Sequence, residues 1–145
     1  MSDKPYLTGR TYLFKISKGD DLLAALEDFC VENQIKCGLV SGIGATISCN
    51  YGFYDQKKKT YIKHKYDGAA EILSLAGNVS LRDGRPMVHA HIMIETAEGK
   101  VSGGHLMGGT KVFASELFIQ ELVGEEKSRK LDKATGLFLW TNVKN

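Results

Sequence analysis

The sequence predicts an α/β (α+β-like) fold: a single domain with a mostly antiparallel, mixed sheet and one main helix packed on it. Two observations predict this. One stretch repeats its apolar residues at helical spacing, and the rest of the chain is a series of short apolar segments cut by turn residues. Size agrees. At 145 residues, 43% hydrophobic and 25% charged, the chain has one domain's proportions. A chain this long buries roughly 68–70% of its unfolded surface and needs neither disulfide nor metal to fold.

Residues 10–17 alternate, with Tyr12, Phe14 and Ile16 on one side, and read as a first strand. The period then changes. Gly19-Asp20-Asp21 opens a helix carrying Leu22, Leu23, Leu26, Phe29 and Cys30, with the two aspartates expected in its first turn, where they suit the positive end of the helix dipole. The helix should run to about Asn33, followed by a strand over 35–40. Ser41-Gly42-Ile43-Gly44-Ala45 reads as a tight glycine turn lining a pocket; no third glycine and no long helix follow, which excludes a dinucleotide fingerprint. Residues 47–54 and 60–66 pair across the charged turn Asp55-Gln56-Lys57-Lys58-Lys59. A longer strand over 71–81 holds Gly77, which marks a bulge or a close backbone approach. After the turn 82–86 come strands over 87–96, 100–106 and 112–122. Residues 124–134 are charged and read as a loop, and Leu137-Phe138-Leu139-Trp140 as an apolar tail that covers its own core or a neighbouring subunit.

The chemistry sits in the histidines. His89 and His91 are two apart in a strand and share a face, leaving Val88, Ala90, Ile92 and Ile94 for the core. Gly99 suits the left-handed position that ends a three-residue hairpin loop, Ala97-Glu98-Gly99. Thr96 then pairs with Lys100, and His105 lies opposite His91. A two-residue loop would turn His105 to the other face. Three neutral imidazoles with an open fourth position make a solvent-accessible zinc site, with nickel, iron or cobalt as alternatives. The same residues could instead be hydrogen-bonded histidines at a subunit contact. Glu71 and Glu116, each inside an apolar strand, are candidates for moving a proton or, equally, for structural ion pairs with Arg10 or Lys111. Glu95 shares the histidine face further out, and His64 reads as a solvated position between Lys63 and Lys65. No Ser-His-Asp or Cys-His arrangement is legible.

Gly9-Arg10, Ser41-Gly42-Ile43-Gly44-Ala45, Glu71-Ile72-Leu73-Ser74-Leu75-Ala76-Gly77-Asn78, His89-Ala90-His91 and Gly103-Gly104-His105-Leu106 occur here in the order found in the PPC ("plants and prokaryotes conserved") domain. The resemblance spans about residues 8–123, leaving 124–145 as a C-terminal extension of a single PPC-like domain over 1–145. It implies a stand-alone prokaryotic member, assembly as a homotrimer, and His89, His91 and His105 as zinc ligands. It also implies an alternative, a DNA-binding, transcription-associated protein whose domain mediates assembly, because plant members follow an AT-hook.

The residues give DNA little support. Net charge is only +2. The nearest string to an Arg-Gly-Arg-Pro hook is Asp83-Gly84-Arg85-Pro86, with an aspartate in place of the first arginine and in an expected turn. Lys57 to Lys59 carry no interleaved aromatic residue. Three cysteines without metal-ligand spacing, no signal-like apolar run and no membrane-length segment point to a reduced, cytoplasmic protein. The expected ligand of an open three-histidine site is a small molecule, with catalysis left open.

Overall fold

A computed structural model describes residues 4–141; residues 1–3 and 142–145, the latter the end of the expected C-terminal extension, lie outside them. In order the elements are β1 (Leu7–Phe14), α1 (Leu22–Glu32), β2 (Gly38–Asp55), β3 (Thr60–Tyr66), β4 (Ala70–Arg82), β5 (Arg85–Thr96), β6 (Val101–Leu106), β7 (Lys111–Val123), β8 (Ser128–Leu131) and β9 (Phe138–Thr141). All belong to one sheet apart from the helix, and the only parallel pair among these elements is β4 with β8.

β2 is the hub. Its first half runs between β4 and β7, and its second half between β3 and β6. β4 pairs with β5, β5 with β6, and β6 returns to β2 through Tyr51↔Leu106 and Gly52↔His105, closing a four-strand ring. The expected glycine turn at 41–45 is therefore corrected: those residues are continuous strand, kinked by a bulge between Gly42 and Gly44. Gly44 has φ +152°, and a Cβ there would strike the Ala114 carbonyl of β7, so the glycine serves close strand approach. Gly42 and Gly44 do line a cleft, as expected.

α1 packs against the core side of the sheet, beside β5. Leu22, Leu26 and Cys30, at four-residue spacing, are buried against inward residues such as Leu75, Val88, Ile92 and Ile119. Asp21 is the N-cap rather than a first-turn residue, its carboxylate accepting from Ala24 N at 3.1 Å, and the first turn holds no acidic group. The helix is tied to β5 by Val88 N donating to Glu27 Oε1 at 3.2 Å. The three cysteines are free, and burial pushes the Cys30 thiol up to about 12.

The segment expected as a charged loop differs most. Within 124–134 lies β8, paired with the apolar tail β9 from Ser128↔Thr141 to Leu131↔Phe138. This hairpin lies on the edge of β4 through Leu81↔Ser128 and Arg82↔Arg129. No described helix is long and apolar enough to cross a membrane.

Candidate metal centre

Val88, Ala90, Ile92 and Ile94 of β5 face the core, which turns His89 and His91 outward. The hairpin to β6 has the three-residue loop the glycine called for: Thr96 N donates to Lys100 O at 2.9 Å, Gly99 N to Thr96 O at 2.9 Å, and Gly99 has φ +73°. The register follows, and His91 lies opposite His105. One ligating atom from each of His89, His91 and His105 can be chosen so that all three lie within 4.8 Å of one another. Two nitrogens on one tetrahedral zinc ion lie about 3.3 Å apart, a gap that modest ring rotations close.

The cluster is half sheltered. His91 is exposed, His89 and His105 are half-buried, and the Tyr61 ring of β3 stacks on His105 at 4.8 Å. His105 Nδ1 is buried and has no hydrogen-bond partner among the described residues, an orphan that a bound ion or ligand would satisfy. Burial, with His89, His91 and Arg129 adding, holds His105 down to about 4. Burial, then Arg129 and His91, also lowers His89. Both rings are therefore neutral at ordinary pH, the state in which a ring nitrogen can ligate. The donor set fits a transition-metal ion.

Gly103 and Gly104, expected from their position beside His105 to leave room around the histidines, instead sit tight against neighbouring strands. A Cβ on Gly103 would strike the Ile92 carbonyl, and one on Gly104 the Gly52 carbonyl, so both permit close strand approach. Gly77 acts likewise against β5, whereas the bulge in β4 falls between Ile72 and Ser74.

The two glutamates stand elsewhere. Glu71 and Glu116 are exposed rather than buried, and both line an open trough between β1, β7, β2 and β4. Glu71 pairs with Glu95, four residues along β5 from His91 and so about 13 Å away at strand rise. Arg10, an expected ion-pair partner, is forked onto Glu121 instead, with Nε–Oε2 and Nη2–Oε1 both at 2.7 Å. His64 is exposed and stacks on Tyr51 at 5.4 Å. Two residues beside the cluster had no sequence signal: Arg129, one cation in a charged run, and Tyr61, whose strand shows no marked alternation.

Asp83-Gly84 forms a two-residue turn, with Arg82 opposite Arg85, so the hook-like string is held between β4 and β5 rather than on a free arm.

The model of the Plants and Prokaryotes Conserved (PCC) domain matches residues 4–123. The chain belongs to that family. Among solved PCC-like structures, a plant- and prokaryote-conserved (PPC) protein of Pyrococcus horikoshii is 41% identical with a TM-score of 0.93, each chain fully covered. A metal-containing protein of Archaeoglobus fulgidus is 41% identical with a TM-score of 0.92, over 98% of this chain and 100% of that one. A protein of Bacteroides thetaiotaomicron described as a candidate DNA-binding protein is 26% identical with a TM-score of 0.84, over 95% and 98%. Among curated relatives, the bifunctional protein GlmU of Synechococcus sp. strain JA-3-3Ab is 30% identical over 137 residues, 92% of this chain and 21% of the relative. The GlmU of strain JA-2-3B'a(2-13) is 29% identical over 129 residues, 88% of this chain and 19% of the relative. The chain thus spans about a fifth of the length of the curated relatives it matches.

Proposed function

We propose that this PCC-domain protein binds a divalent transition-metal ion, zinc first, through His89, His91 and His105, and uses the open side of that site to take a small molecule. The observation that carries this reading is the convergence of three ring nitrogens within 4.8 Å on an accessible face, one ring holding an orphan buried nitrogen. The metal-containing relative of Archaeoglobus fulgidus supports it. Bound there, the ion would supply Lewis-acid polarisation of a ligand oxygen; the chain's part is to hold neutral imidazoles in place and to shelter one side with Tyr61.

Assembly as a homotrimer belongs to the same proposal. The outer sheet face exposes Leu13, Ile43, Leu73 and Phe113 along the trough, with Met93 two residue pairs beyond His91 and His105. Leu13 is 82% exposed, so this is a broad apolar surface of the kind that marks association. Glu71 and Glu116 lie along that trough, so they would meet a histidine site only from a neighbouring copy, and a proton-transfer role for them depends on assembly.

Metal analysis of the purified protein tests the site. One equivalent per chain, lost in His89→Ala and His105→Ala with the fold retained, is the expected result; a metal-free native protein refutes it. Light scattering tests the assembly. Association with duplex DNA is the second reading, favoured by the description of the Bacteroides thetaiotaomicron relative. It requires salt-dependent retardation of duplex that weakens when Lys57, Lys58 and Lys59 are replaced.

A further inference from the structure

Arg129 of β8 is 7% exposed, and no carboxylate among the described residues pairs with its charge. Nε donates to Ser80 Oγ at 2.8 Å, Nη1 to the Phe138 carbonyl at 3.1 Å and Nη2 to Asn78 Oδ1 at 2.8 Å. All three acceptors are neutral. A guanidinium carries five N–H donors, so Nη1 and Nη2 each keep one for a further acceptor. Among the described residues the arginine ion pairs are Arg10 with Glu121 and Arg82 with Asp83. A buried cation without a counter-charge is costly, and arginine does not escape by losing its proton.

Its position says what the missing partner is. Asn78 lies directly opposite His89 in the β4–β5 pairing, so the two side chains share one face. Arg129, bonded to Asn78 and Ser80 on that face, stands beside the histidines, and its charge helps depress His89 and His105. The cluster contains no carboxylate. The cleft of about 610 Å³ that runs past His105 has none among its lining residues either, and carries Lys63 and Lys65 instead. A divalent ion on three neutral imidazoles, next to a fixed guanidinium, therefore receives no negative charge from the described residues.

The geometry points to Arg129 as the anion-binding residue of this site: the ligand is a small molecule with a carboxylate or phosphate group, whose oxygens meet the spare N–H donors of Arg129 on the open side of the three histidines. This deepens the metal-site reading and rests on it. The family match ends at residue 123, so the C-terminal hairpin contributes this selectivity. The same charges disfavour cationic ligands and favour an anion over its neutral analogue.

The test is calorimetric titration of zinc-loaded protein with succinate, with inorganic phosphate and with neutral succinamide as control; the first two distinguish a carboxylate from a phosphoryl ligand. At least one anion should bind and succinamide should not. Arg129→Gln should weaken that binding about 10- to 100-fold with metal content unchanged, and Arg129→Lys should retain part of it. Should Arg129→Gln fail to fold, Asn78→Asp serves: it gives the guanidinium an internal counter-charge at nearly constant volume. The anion should then be lost while thermal stability holds or rises, which a purely structural Arg129 would not produce. Failure of both anions to bind the zinc-loaded protein, or binding unchanged in Arg129→Gln or Asn78→Asp, overturns the proposal. An anion that binds through Arg129 to a protein unable to hold zinc would keep the anion site and refute the metal reading.

Discussion

Gly104→Ala tests whether the seam between β6 and β2 fixes the histidine cluster. A Cβ on Gly104 would stand 2.5 Å from the Gly52 carbonyl oxygen. An ordinary carbon–oxygen contact is about 3.3–3.6 Å, so the strands must part by roughly 1 Å. The seam is short, with Tyr51↔Leu106 and Gly52↔His105 as its pairs, and His105 is the next residue. Forcing a methyl group into such a place costs about 1–3 kcal/mol. For a domain of this size that lowers the melting temperature by roughly 3–10 °C. A 1 Å displacement also exceeds the tolerance of about 0.5 Å within which a ligand set stays productive. Differential scanning fluorimetry and competitive zinc titration of Gly104→Ala should therefore show both a lower melting point and at least about tenfold weaker zinc. Gly108→Ala is the control, since nothing lies within 4 Å of a Cβ there. A Gly104→Ala protein that melts with the parent and binds zinc equally would refute the reasoning.

Two pH effects follow from the same charges. His105 is held down to about 4 and His89 below its ordinary value, so below about pH 6.5 the unfolded chain takes up protons that the folded chain does not. The metal-free protein should keep this stability above that pH and lose it as pH falls toward about 4; equal urea midpoints at about pH 7 and about pH 5 would contradict this. Glu121 is held below its ordinary value by its hydrogen bond to Arg10, so its contribution is present above the usual carboxylate range and lost as pH falls through its folded value. Glu121→Gln should lower the urea midpoint slightly at neutral pH and not in strong acid, and an equal loss at both would show that the fork is not the cause.

The division between sequence and tertiary structure runs along the range of the forces involved. Local pattern determined the helix, through Leu22, Leu26 and Cys30, and the outward face of His89 and His91, through alternation with four core residues. It also determined the histidine register, because a left-handed Gly99 selects one hairpin loop and the loop selects the pairing. Those are interactions between near neighbours, written in residue type. What the sequence left open depends on partners far along the chain. The bend of β2 at Gly42 and Gly44 looks like a turn until β7 is seen lying against it. Glu71 and Glu116 look buried in apolar strands, but the sheet turns their face outward. Arg129, one cation among many in a charged run, becomes a buried guanidinium beside the histidines only because β8 docks on the end of β4, 47 positions away at Leu81↔Ser128. Sequence alone determined the three histidines of the candidate centre; the tertiary fold decided which charges surround them, since burial and docking across the sheet are properties of no single segment.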